Sequence, residues 1–158
     1  MMSLTDLILN VGHRLDYKKW QVVTAESCTG GLIAAHLTEI PGSSGWFERG
    51  FVTYSNLAKH ELLAVPNEVM ESFGAVSEEV ALAMALGALK HSTSHIAVSV
   101  TGIAGPDGGS LNKPVGTVCF AWATHDKTGT LKKHFSGNRQ AIRLSACQQA
   151  LEGLLDWL

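Results

Sequence analysis

The run Ala25-Glu26-Ser27-Cys28-Thr29-Gly30-Gly31 sets one serine between an apolar stretch, residues 20–24, and a helix-like stretch, residues 32–37. The pattern reads as strand, tight turn and helix, with Ser27 at the bend. Unpaired backbone N–H groups at a helix start attract negative charge. Ser27 is therefore a candidate nucleophile, and the backbone around Thr29, Gly30 and Gly31 a candidate set of oxyanion or substrate donors. A plain helix N-cap is the commoner reading of the same pattern.

A serine nucleophile needs a base. Residues 47–54 read as a second strand closed by Tyr54, and Ser55-Asn56 opens a short helix that carries Lys59 about one turn in. A lysine that has lost its proton can serve a serine without histidine, and burial beside other cations helps it do so. The ordinary fate of a lysine is a solvated surface. A third strand, residues 95–101, runs into Thr101-Gly102-Ile103-Ala104-Gly105-Pro106-Asp107-Gly108-Gly109. Thr101, Gly102 and Gly105 mark a loop whose backbone can approach a ligand and whose N–H groups can form an anion nest. It matches neither a Walker A sequence nor GxGxxG, and it also reads as a flexible turn. Arg139 and Arg143 lie four apart at the start of the last helix and suit a phosphate or carboxylate, or simply solvent. None of the seven histidines sits in a comparable motif, and none is read as a metal ligand.

The elements that position these residues alternate. Leu4, Leu7, Ile8, Val11 and Leu15 share one face of a first helix over residues 4–18. A helix over about residues 30–39 ends at Ile40-Pro41-Gly42, and a short one spans residues 68–72. Ser77 caps a helix running to about His91, with Val80, Ala81, Met84, Ala85 and Ala88 as its buried stripe. Residues 114–124 and 130–135 form an antiparallel hairpin around Asp126-Lys127-Thr128-Gly129. In the final helix Leu144, Cys147, Leu151, Leu154, Leu155 and Leu158 line the inner face. The order predicts a three-layer α/β/α sandwich with a mixed, mostly parallel sheet. Ser27, Tyr54 and Thr101 then close strands, and in such sheets those ends gather on one edge.

At 158 residues the chain fits one domain, and 46% hydrophobic residues supply a sizeable core. A net charge of −2 gives no footprint for nucleic acid, and no apolar run reaches the roughly 20 residues of a membrane span. Three scattered cysteines without CxxC spacing, and no visible leader, lead us to expect a reduced, cytoplasmic protein.

The segments AESCTGG (25–31), PGSSGWFERGFVTYSNLAKHELL (41–63), GAVSEEVA (74–81), VTGIAGPDGG with KPVGTV (100–118) and FSGNRQAIR (135–143) span nearly the whole chain. Together they resemble the C-terminal domain of the CinA (competence/damage-inducible) family of nicotinamide-nucleotide amidases. The resemblance implies one domain over residues 1–158, in stand-alone form without the large N-terminal domain of two-domain members. It implies hydrolysis of the carboxamide of nicotinamide mononucleotide (NMN) to nicotinate mononucleotide and ammonia. Ser27 would be the nucleophile, Lys59 its base and Tyr54 a second route for the proton. Thr29, Gly30, Gly31, Thr101, Gly102, Gly105, Arg139 and Arg143 would bind substrate, the arginines at its phosphate. No cofactor, nucleic acid or membrane partner is implied, and a homo-oligomer is expected, with the hairpin and final helix as a dimer face. One departure is Ala64, where the family usually has glycine, expected to affect only a turn. Two other readings are a non-catalytic pyridine-nucleotide-binding domain of the same fold and an interaction module linked to DNA uptake. The charge gives the latter no support.

Overall fold

In the computed structural model, which describes residues 1–158, the strands are β1 (Val22–Glu26), β2 (Phe47–Val52), β3 (Ile96–Gly102), β4 (Thr117–Thr124) and β5 (Thr128–His134). They form one sheet in the order β2-β1-β3-β4-β5. β1 pairs parallel with β2 and β3, while β4 is antiparallel to β3 and β5. Four strands thus point one way and β4 alone opposes them. The helices are α1 (Leu4–Lys18), α2 (Leu32–Leu37), α3 (Asn56–Leu63), α4 (Asn67–Phe73), α5 (Glu78–Lys90) and α6 (Arg139–Trp157).

The period-two pleat sorts the strand residues into two unlike faces. Val22, Val98, Val100, Val118, Phe120 and Trp122 meet α1, α2 and α6 through Val11, Leu15, Ile33, Ile142, Leu151 and Leu154. Ala25, Ala97, Cys119, Ala121 and Ala123 meet α5 through Ala81, Met84, Ala85 and Ala88, with Leu63 and Met70 beside them. Small residues on both sides let α5 lie close to the sheet. These are the three expected layers.

Two local expectations need correction. β1 begins at Val22, because Lys19 ends α1 in a left-handed conformation and the half-buried Trp20 stacks on His95 instead of joining the sheet. Leu144 is exposed, and the buried stripe of α6 runs through Ile142, Ala146, Cys147, Ala150, Leu151 and Leu154. The Trp122 indole explains the rotation. Its N–H donates to Ala150 O at 3.1 Å, and a Cβ on Gly153 would run into its ring. The helix turns its small residues toward the indole, and Leu144 swings outward.

α3 and α5 touch where Gly87 faces the Leu63 carbonyl, a contact that any Cβ at residue 87 would block. Just beyond, Ala64 caps α3 with φ at 55°, and its N–H donates to His60 O at 3.0 Å. That left-handed cap favours glycine, so the departure noted in the sequence is a strained position rather than a neutral one. Ala64→Gly should therefore stabilise the fold by about 1 kcal/mol, raising Tm by about 2–4 °C in thermal denaturation. An unchanged or lower Tm would show that the cap carries no such strain.

Candidate active site

Because β1, β2 and β3 are parallel, their carboxyl ends open on the same edge. The ladder continues past β1: Thr53 N–H donates to Glu26 O at 2.8 Å, and Ser27 N–H to Val100 O at 3.0 Å. Ser27 is thereby held between the ends of β2 and β3. α3 starts immediately after β2, capped by Ser55, whose Oγ accepts from Ala58 N–H at 3.0 Å. One turn of this helix returns Lys59 beneath the sheet edge.

Lys59 is only 1% exposed, so the surface reading of this lysine does not hold. Its Nζ lies 3.0 Å from Ser27 Oγ, 3.0 Å from Thr53 O and 3.2 Å from Tyr54 O. No carboxylate forms an ion pair with it. Burial pushes the ammonium pKa below its ordinary 10.5. A Cys28 thiolate would oppose that shift. Burial, however, pushes the Cys28 thiol up to about 12, so near neutral pH it carries no charge and is no rival nucleophile. A neutral amine has two hydrogens and one lone pair. The carbonyls of residues 53 and 54 accept the hydrogens, which leaves the lone pair for the Ser27 hydroxyl.

Tyr54 meets Ser27 and Lys59 through its backbone. Its carbonyl faces Ser27 Oγ at 3.4 Å as well as Lys59, whereas its exposed phenol accepts from Arg139 Nη2 at 3.0 Å. Arg139 also donates through Nη1 to Gly105 O at 2.6 Å, so it spans the mouth between the ends of β2 and β3. A cavity of about 180 Å³ opens on Ser27 and Lys59, with Tyr54, Asn56, Thr101, Gly102 and Arg139 in its wall. Thr101 Oγ1 donates to Ala75 O at 2.7 Å, tying the approach to α5 to this wall. At Gly102 a side chain would press within 3.1 Å of Cys28 Sγ and 2.8 Å of Val118.

The other expected residues are not among those lining the cavity. Thr29 is buried, its hydroxyl donating to Glu26 Oε1 at 2.6 Å. Gly30 and Gly31 carry φ of 57° and 101°, which the tight turn demands. Gly105 contributes its carbonyl to Arg139. Arg143 is spent on the turn itself, Nε donating to Cys28 O at 3.0 Å and Nη2 to Thr29 O at 3.1 Å. Two residues were not singled out from the sequence. Asn56 lines the cavity with its side chain free of protein hydrogen bonds. Glu26 is fully buried under α2. An acid closing an apolar strand just ahead of a helix start is the signal that would have found it.

No group of three or more His, Cys, Asp or Glu side chains is arranged to hold a metal ion, and no helix is long and apolar enough to cross a membrane. The CinA C-terminal domain family matches residues 4–158. The chain is 56% identical to the "Nicotinamide-nucleotide amidohydrolase PncC" of Enterobacter agglomerans, over 96% of this chain and 93% of that protein. It is 48% identical to the protein of the same name from Pseudomonas putida, over 98% and 97%. Among solved structures, the "competence/damage inducible protein CihA" of Agrobacterium tumefaciens superposes with a TM-score of 0.95 at 45% identity, covering 98% of each chain. With this sequence match, the shared fold and the motifs standing at one sheet edge, the chain belongs to the CinA C-terminal domain family.

Proposed function

We propose that the chain hydrolyses the carboxamide of NMN, giving nicotinate mononucleotide and ammonia, with Ser27 as nucleophile and Lys59 as base. Kinship with proteins named nicotinamide-nucleotide amidohydrolase supports the substrate. The observation that carries the chemistry is the 3.0 Å contact between Ser27 Oγ and a buried lysine that has no carboxylate partner. Intact machinery of this kind argues against a domain that only binds the nucleotide.

Lys59 Nζ takes the Ser27 hydroxyl proton as Oγ attacks the amide carbon. Backbone N–H groups after Ser27 hold the oxyanion. The C–N bond then breaks, and the proton on Lys59 passes to the departing ammonia. Water, deprotonated by the same amine, releases nicotinate mononucleotide and restores Ser27. The phenol of Tyr54 points to Arg139 rather than to the amine, so the Lys59 amine alone is the proton carrier in this scheme. The small cavity admits a pyridine ring with its carboxamide and leaves the ribose phosphate at the mouth beside Arg139. Arg143 acts on substrate only through the turn it holds. The substrate is a small molecule, and the net charge of −2 supports neither a nucleic-acid nor a membrane partner. Three free, buried cysteines fit a reducing cytoplasm.

Four measurements test this reading. Ammonia release from NMN should fall on the order of 10³-fold or more in both Ser27→Ala and Lys59→Ala, and wild-type turnover by Ser27→Ala removes the nucleophile assignment. In wild type, kcat/KM should climb with pH as Lys59 deprotonates, along a limb centred below 10.5. Stability follows the same sign. The folded state binds fewer protons than the unfolded state between the lowered Lys59 pKa and 10.5, so wild-type stability gains with rising pH in that window. Lys59→Met should lack this gain and be inactive yet more stable at neutral pH; equal stability there would mean that the ammonium costs the fold nothing. Finally, Arg139→Ala should raise KM for NMN about 10-fold with kcat nearly held. An equal effect on the nucleoside lacking the phosphate would exclude a phosphate contact.

A further inference from the structure

Glu26 is 0% exposed and closes β1 on the face covered by α2. Its Oε1 accepts from Thr29 Oγ1 at 2.6 Å, Gly31 N–H at 3.2 Å and Ile33 N–H at 3.0 Å, and its Oε2 from Ala34 N–H at 3.1 Å. No lysine or arginine pairs with it. A buried carboxylate without a cation is costly unless donors surround it, and here the start of α2 supplies them. The N-terminus of α2 is therefore already occupied and is closed to a substrate's negative charge.

The remaining donors can be counted. Leu32 N–H donates to Thr29 O at 2.9 Å and Gly30 N–H to Ser27 O at 3.0 Å. Between Cys28 and Ala34 only the N–H groups of Cys28 and Thr29 donate to no other residue. These are the central residues of the turn closed by Gly30 N–H on Ser27 O. In a trans peptide the carbonyl and the next N–H point opposite ways. Arg143 draws the Cys28 carbonyl to one side, which directs the Thr29 N–H to the other.

We propose that Glu26 is a positioning residue: by filling the start of α2 and fastening Thr29, it leaves and orients the N–H groups of Cys28 and Thr29 as the oxyanion donors. This rests on Ser27 being the nucleophile. Glu26→Gln removes the negative charge and the acceptor of Ala34 N–H, weakens the bonds from Thr29, Gly31 and Ile33 and so loosens residue 29, and the loss falls on the transition state and not on substrate binding.

The test is steady-state NMN hydrolysis by Glu26→Gln, well below its Tm, with Ser27→Ala assayed beside it. The expected result is a kcat lowered about 10-fold or more with KM within about twofold. Wild-type kcat with only a lower Tm would reduce Glu26 to a helix cap and overturn the proposal, as would a raised KM with kcat unchanged. Should Glu26→Gln not fold, Thr29→Val carries the test, since it deletes the hydroxyl bond to Glu26 and keeps the Thr29 N–H. A kcat loss of about threefold or more at constant KM supports the proposal, and wild-type kcat overturns it. An inactive Ser27→Ala beside a fully active Glu26→Gln removes Glu26's role alone; an active Ser27→Ala removes the nucleophile beneath it.

Discussion

The structure depends on one expensive arrangement, an amine withdrawn from water with no acid to balance it. Lys59 is surrounded by two backbone carbonyls and a serine hydroxyl. A carboxylate in contact would hold the proton on the nitrogen; its absence, together with burial, loosens that proton. The surrounding layers make this tolerable. β2 ends one residue before Thr53, α3 begins at Asn56, and the short link between them supplies both carbonyls. Lys59 is thus set by the chain's own geometry, without a third side chain to orient it.

A second layer of charge is kept apart from the first. Glu26 directly precedes Ser27, yet the strand pleat sends its side chain under α2, where the helix start meets it. Arg143 reaches from α6 and is absorbed by carbonyls of the turn. Glu26 and Arg143 therefore serve as fasteners on the Ser27 turn, and neither hydrogen-bonds to Ser27 Oγ or Lys59 Nζ.

The layered fold was legible in the sequence because the periodicities are clean. The α5 stripe of Val80, Ala81, Met84, Ala85 and Ala88 and the alternation in β3 fix helix and strand without ambiguity. Ser27 and the glycine turn were legible because strand, bend and helix follow one another directly over residues 22–37. The fate of Lys59 was not, since no local pattern distinguishes a buried lysine from a solvated one; only the family motif pointed to it. Neither the exposed Leu144 nor the fastening role of Arg143 could be read locally. Each depends on a tertiary neighbour, Trp122 in one case and the turn carbonyls in the other. Tyr54 shows the same limit: its type suggested a phenol at work, and its position made the carbonyl the nearer group.

The unequal faces of the sheet give the molecule a lopsided tolerance to amino-acid change. Beside α1 and α6, bulky side chains such as Phe120, Leu151 and Leu154 can trade volume among themselves. Beside α5, alanines against the sheet and Gly87 against the Leu63 carbonyl leave little room for added bulk, and any gain at residue 87 is passed through Leu63 into the helix that carries Lys59. Changes of bulk are thereby easier to absorb in one half of the core than in the other, whose packing reaches Lys59 through α3.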